Sequence, residues 1–341
     1  MNVVVNGRFL DRRITGVERY GGEILCRLGN KSVQKGDGAL RVIRSEGWAD
    51  GVRGHLWEQV ALAGQVGPDQ ILWSPANTGP LNLENQVLTL HDISPLEHPE
   101  WFKLGFAHWY RLFVPPLVRR VRRVVTSSEY TRGRLLKRFG LPGERVTVVP
   151  GGVEPRTFHP GVISRLDLPS RYALFVGSLQ PRKNLARLLS AWERMKDKVP
   201  DAWLLVAGTG GSAFRPVHLA LHERVKFLGA VPDAELPGLY AGATVFILPS
   251  LDEGFGLTLL EAMACGTIVI ASNAGALPEV VGDSGLFFDP LDVAEIAETL
   301  RCGFQDAGPR ETLREKGLLR AQRYSWDTSA EMLWEVFEGC R

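Results

Sequence analysis

Glu253 and Glu261, separated by seven residues in EGFGLTLLE, are two acids spaced about two helical turns apart, roughly 12 Å along one face. The first precedes a Gly254-Phe255-Gly256 turn, and the second falls inside an apolar helix predicted over Leu257–Ala264. A helix start flanked by glycine leaves backbone N–H groups uncovered at the positive end of the helix dipole, where a phosphate binds. One acid ahead of that start and one beyond it could bracket a phosphate-bearing sugar, each accepting hydrogen bonds from hydroxyls. The competing reading is an amphipathic helix with a solvated Glu at each end.

Two cations supply the complementary chemistry. A strand predicted at Ala173–Val176 runs into Gly177-Ser178-Leu179-Gln180-Pro181-Arg182-Lys183-Asn184, and a helix follows. Gly177 permits close approach by a ligand, while Arg182 offers a bidentate fork and Lys183 a point charge, a pair suited to a diphosphate. An exposed basic turn capped by Asn184 is the structural alternative. No Asp-x-Asp occurs, and the histidines do not cluster as metal ligands do, so neither metal nor cofactor is expected. A departing nucleotide diphosphate would then be neutralised by Arg182, Lys183 and the helix start at Gly254–Leu257. Gly208-Thr209-Gly210-Gly211 is only half of a dinucleotide fingerprint, which counts against an NAD enzyme.

His91, with Asp92, ends a strand predicted at Val87–Leu90, where ligand-facing residues gather. His55, His98, His108, His159, His218 and His222 read as structural or surface residues. Trp101, Phe102, Phe106, Trp109, Tyr110 and Phe113 stripe the helix before Arg119-Arg120-Val121-Arg122-Arg123. Such a stripe is ordinarily core. Its alternative is a peripheral membrane patch, aromatics at the interface and arginines on anionic headgroups. A nucleic-acid partner would need a broader basic field with further stacking aromatics, and is set aside.

These residues need elements to hold them. With 341 residues the chain exceeds what one core serves, and 45% hydrophobic with 23% charged residues is ordinary for a globular protein. Short β-branched runs alternate with helical patterns through both halves, the mark of doubly wound parallel α/β sheets. Two Rossmann-like domains are expected, 1–160 and 161–324, joined through Pro150–Pro169 and enclosing a cleft, with an amphipathic helix in 325–341. Residues 1–160 hold 22 Lys/Arg against 15 Asp/Glu (+7) and residues 161–341 hold 18 against 23 (−5), so an anionic partner is expected on the first half. Cys26, Cys265, Cys302 and Cys340 show no paired spacing and read as reduced thiols, mostly core filler, in a cytoplasmic protein. No apolar run approaches a membrane span.

In order along the chain stand Thr15-Gly16-Val17, His91-Asp92, Thr126-Ser127-Ser128 and Val148-Val149-Pro150-Gly151-Gly152-Val153. Gly177 with Arg182-Lys183-Asn184, Glu253-x7-Glu261 and Gly275-Ala276-Leu277-Pro278-Glu279 follow. Together they resemble a retaining glycosyltransferase of family 4 with the GT-B architecture. The likeness covers nearly the whole chain and is most specific in its second half.

The resemblance implies that Arg182 and Lys183 bind the donor diphosphate and that Glu261 accepts from the ribose hydroxyls. It places Glu253 on hydroxyls of the donor sugar, with the amides of Gly254, Phe255, Gly256 and Leu257 around sugar and phosphate. Gly16 would face the diphosphate across the cleft, His91 the donor sugar near the reacting carbon, and the segment after Tyr324 would cross back to the first domain. The expected reaction is hexosyl transfer, mannosyl from GDP-mannose as the first choice, to a saccharide or lipid-linked saccharide, with peripheral contact at the inner face of a membrane. UDP-glucose and dTDP-rhamnose remain open donors. A nucleotide-sugar epimerase and a non-catalytic nucleotide or carbohydrate binder are the alternatives.

Overall fold

The computed structural model describes residues 2–35, 40–48, 51–211, 213–216, 222–305 and 307–340; His218 lies outside them. A strand covered on both faces has no place for alternating polar side chains, so its sequence is a short continuous apolar run. Such runs form two six-stranded sheets among the described residues, and every pairing is parallel. The first sheet contains β1 (Asn2–Asn6), β2 (Leu40–Ile43), β3 (Gln70–Ser74), β4 (Gln86–Thr89), β5 (Arg123–Thr126) and β6 (Val146–Val148). The second contains β7 (Tyr172–Val176), β8 (Trp203–Ala207), β9 (Val225–Gly229), β10 (Val245–Leu248), β11 (Ile268–Ser272) and β12 (Gly285–Phe288).

Parallel strands need crossovers, and helices provide them. These are α1 (Gly16–Lys35), α2 (Gly51–Trp57), α3 (Ser94–Glu97), α4 (Leu104–Arg120) and α5 (Glu129–Phe139), then α6 (Leu185–Met195), α7 (Leu236–Gly242), α8 (Leu257–Ala264) and α9 (Leu277–Val281). The chain finishes with α10 (Val293–Gln305), α11 (Ala307–Ala321) and α12 (Trp326–Glu338). Helix α6 shows the sequence logic: Leu185, Leu188, Leu189, Trp192 and Met195 recur at helical spacing and are all buried. Ser128 caps α5 by accepting the Thr131 N–H at 3.1 Å.

The chain forms two compact units. The first gathers the chain up to Glu97, Ala107–Gly152 and everything from Ser325, and its strand order is β2-β1-β3-β4-β5-β6. Helix α12 belongs to this unit. Ser329 donates to the Pro150 carbonyl at 2.7 Å, Asp327 meets Arg27 of α1 at 3.3 Å, and Phe337 packs on Trp73 of β3. The second unit gathers His98–Phe106 with Val153–Tyr324, in the order β12-β11-β10-β7-β8-β9. His98–Phe106 therefore leaves the first half of the sequence, held by an antiparallel bridge between Phe102 and Phe214 and by the Lys103 N–H on the Ala213 carbonyl at 2.9 Å. That is a long-range pairing, invisible to local periodicity.

The aromatic stripe at 101–113 turns inward. Trp101, Phe102 and Tyr110 are buried, and Phe106, Trp109 and Phe113 are half-buried. It is core, and the reading of these rings as a membrane patch does not hold. Among the cysteines, Cys265 and Cys340 are buried, whereas Cys26 is exposed and not core filler. Among the described residues no helix is long and apolar enough to cross a membrane.

Candidate functional site

In an open parallel sheet, ligands bind outside the strand C-termini where the strand order reverses, because the two flanking loops diverge there and leave a crevice. In the second unit the reversal falls between β7 and β10, which pair through Ala173–Val245 and Leu174–Phe246. The loop leaving β7 carries Arg182 and Lys183, and the loop leaving β10 carries Ser250 and Glu253. Residues about 70 positions apart are thus brought side by side by topology. The two loops are stitched by the Leu251 N–H donating to the Arg182 carbonyl at 2.8 Å.

The side chains then converge. Lys183 Nζ sits 2.5 Å from Glu253 Oε1, Arg182 Nη1 lies 3.3 Å from Oε2, and Ser250 Oγ donates to Oε1 at 2.7 Å. Arg182, Lys183 and Glu253 side chains are only 12%, 11% and 8% exposed. Burial opposes the charge on Glu253, but the two cations and the Ser250 hydroxyl prevail and hold its carboxyl at about 2. The backbone of Glu253 is fixed as well, its carbonyl accepting the Ala276 N–H at 2.9 Å from the loop after β11.

Gly254-Phe255-Gly256 leads directly into α8. Gly256 is its N-cap at φ +113°, a left-handed conformation that glycine adopts without Cβ strain, and no side chain caps the helix. The first turn holds no acidic residue, so the helix start at Leu257 carries no anion of its own, while the Leu259 N–H bonds the Gly256 carbonyl at 3.0 Å. This turn corrects the helical spacing expected of the two acids: Glu253 lies outside α8, and only Glu261 lies on it. Phe255 is buried, its ring edge-on to Tyr324 at 5.7 Å. Glu261 is buried and accepts from Tyr240 Oη at 2.8 Å.

Gly177 follows β7 beside Gly208, which follows β8 at φ +141°. A Cβ on Gly208 would stand 1.8 Å from the Gly177 carbonyl oxygen, so Gly208 is a close-packing residue between strand ends and not part of a dinucleotide loop. Among the described residues no three His, Cys, Asp or Glu group as metal ligands.

In the first unit the strand order reverses between β1 and β3. His91 follows β4, half-buried, with its Nε2 3.0 Å from the Pro75 carbonyl and the Tyr20 ring edge-on at 4.8 Å. Gly16 opens α1, exposed, and there the Thr15 N–H is already taken by the Glu18 carboxylate at 3.2 Å. That start carries its own anion, unlike α8. Sequence reasoning missed a buried ionic cluster under this edge. Glu58 accepts from Arg8 Nη1 at 2.6 Å, Asn6 Nδ2 at 2.9 Å and Thr78 Oγ1 at 2.9 Å, and His55 lies on it at 3.4 Å. The available signal was polar Asn6 and Arg8 after the apolar run Val3–Val5; Glu58 carried no signal of its own. Ser250 and Tyr240 likewise carried no motif.

Two doubly wound units with a cation–carboxylate cluster at the switch point define the GT-B class of sugar-transferring enzymes. Residues 163–320 match the model for "Glycosyl transferases group 1" and residues 73–157 that for "Glycosyltransferase Family 4". The chain is 33% identical over 273 residues to the O-antigen chain mannosyltransferase B of Escherichia coli, covering 76% of this chain and 71% of that one. It is 30% identical over 336 residues to the D-inositol 3-phosphate glycosyltransferase of Salinispora tropica, covering 88% and 66%. Its fold is shared with sucrose-phosphate synthase from Thermosynechococcus elongatus at a TM-score of 0.76, 20% identity and 99% and 98% coverage. The chain belongs to glycosyltransferase family 4, the retaining hexosyltransferases that use nucleotide sugars.

Proposed function

We propose that the protein transfers a mannosyl group, with retention, from a nucleotide diphosphate sugar to a hydroxyl of a saccharide or lipid-linked saccharide. The observation that carries this reading is the buried Arg182–Lys183–Glu253 cluster beside the bare start of α8. Arg182 and Lys183 receive the diphosphate, and the amides of Gly254, Phe255, Gly256 and Leu257 surround phosphate and sugar. As phosphate replaces the carboxylate on the two cations, Glu253 is released to accept from sugar hydroxyls. Glu261 accepts from the ribose, Gly177 leaves room for the phosphates, and Gly16 and His91 act from the first unit's strand ends.

The sugar–phosphate bond loosens toward an oxocarbenium-like state, and the acceptor hydroxyl attacks the same face. The departing phosphate takes its proton. Catalysis is positioning plus stabilisation of the leaving diphosphate, with no metal required. Mannose is favoured by likeness to the O-antigen mannosyltransferase.

For a lipid-linked acceptor, the same reading brings the first unit to an anionic membrane. Its support is a line of apolar side chains at helical spacing, Val52, Leu56 and Val60, which are 84%, 55% and 65% exposed, with exposed Arg53 beside them.

The test is calorimetric titration with GDP, UDP and dTDP in EDTA, followed by product analysis with the sugar form of whichever binds. Micromolar binding of GDP and acceptor-dependent transfer from GDP-mannose are expected. Donor conversion without acceptor would turn the reading into an epimerase, and binding without turnover into a carbohydrate-binding protein.

A further inference from the structure

His91 is fixed through both its backbone and its ring. Its backbone N–H donates to Asn77 Oδ1 at 2.8 Å, its Nε2 faces the Pro75 carbonyl at 3.0 Å, and Tyr20 closes one side edge-on at 4.8 Å. Tyr20 is itself pinned by its hydroxyl on the Val149 carbonyl at 2.9 Å. Asn77 is in turn fixed by its N–H on the Thr89 carbonyl at 3.1 Å, which ties the loop after β3 to the end of β4.

Asn77 sits at φ +65°, a left-handed conformation that asparagine enters more readily than other non-glycine residues. That conformation lets one residue bond the end of β4 through its backbone and the start of the His91 loop through its side chain. Asn77 lies in the loop after β3, at the strand-reversal edge of the first unit, where ligand-handling loops are found.

The hydrogen bonding also fixes which nitrogen carries the proton. A carbonyl can only accept, so Nε2 is protonated. Burial lowers the pKa of His91, against the opposing pull of the Pro75 carbonyl and the Asp92 and Glu18 carboxylates, so the ring is neutral near pH 7. Nδ1 is then an acceptor, and it has no hydrogen-bond partner among the described residues.

We propose that Asn77 is a positioning residue that sets the His91 ring so that Nδ1 accepts a hydrogen bond from a substrate hydroxyl. This rests on the sugar-handling role given to His91 above and adds the residue and the tautomer through which that role is exercised. His91 on this account is a hydrogen-bond acceptor and not an acid.

The experiment compares Asn77→Gly, Asn77→Asp and His91→Ala in the full chain, measuring kcat and KM with GDP-mannose and acceptor, and the His91 ring nitrogens by 15N NMR. Glycine keeps the left-handed backbone and removes the whole side chain, Oδ1 with it, so unfolding should shift little. We expect Asn77→Gly to lose about tenfold in kcat with little change in GDP affinity. Its NMR spectrum should show loss of the single Nε2–H tautomer, and Asn77→Asp, which keeps the acceptor oxygen, should recover most of the rate. Full activity in Asn77→Gly beside an impaired His91→Ala overturns the positioning role alone. Full activity in His91→Ala overturns the reading of His91 itself. A rate loss in Asn77→Gly with the His91 tautomer unchanged overturns the proposal, because Asn77 then acts by another route.

Discussion

Lys183 and Glu253, 70 residues apart in sequence, form an ion pair of 2.5 Å in which both side chains are nearly buried. A buried pair is costly to desolvate and is no measure of stability by itself. Here it is shared by Arg182 and by the Ser250 hydroxyl, so the cations stay aimed at the crevice before any phosphate arrives.

Glu253→Gln removes the charge that competes with phosphate while keeping the side chain's shape. The variant should bind nucleoside diphosphate at least as tightly as the parent by calorimetry, yet turn over about a hundredfold more slowly. Weaker diphosphate binding would mean that Glu253 assists the phosphates and does not yield to them.

Arg182→Ala should weaken nucleoside diphosphate binding by about ten- to a hundredfold and nucleoside monophosphate binding far less, since only the former presents the phosphate that the fork grips. Equal losses for both would discredit the diphosphate assignment.

Tyr240→Phe takes from Glu261 a hydrogen bond of 2.8 Å in a buried setting. Denaturant unfolding should show a loss of about 1–2 kcal/mol, accompanied by weaker nucleoside affinity. Stability loss with unchanged affinity would confine Glu261 to the core.

Gly208→Ala would drive a Cβ to 1.8 Å from the Gly177 carbonyl oxygen and force a left-handed alanine. The cost should be about 3 kcal/mol or more, read as a lowered unfolding midpoint, with diphosphate affinity falling because the Gly177 loop must move.

Acid should loosen the second unit. Glu253 ionises at about 2 in the fold and about 4.5 when unfolded, so its folded pKa is depressed. The contribution is complete above the unfolded value and is lost as pH falls from about 4.5 toward 2. The acid limb of the unfolding profile should flatten in Glu253→Gln, and an unchanged limb would assign it to other carboxylates.

Much of this protein is legible in one dimension. The apolar runs at Val245–Leu248 and Ile268–Ala271 read as buried parallel strands and the periodicity of Leu185–Lys196 as a half-buried helix, each within one residue of the structure's bounds. The bare start at Leu257 is written in Gly254-Phe255-Gly256, and the helix Leu257–Ala264 begins and ends where its sequence says. These are local properties of backbone conformation and side-chain period. Pairings set by distance in the chain were not legible. Gly285–Phe288 opens on glycine and is only partly buried, so it does not declare itself a strand until β11 offers its edge, and Glu58 becomes a buried anion only when Asn6, Arg8 and Thr78 are folded onto it. The aromatic stripe could not say which way it faces. The residue types that can bind phosphate and sugar were set by the sequence; the strand order alone set them against one another, because a crevice exists only where neighbouring loops diverge.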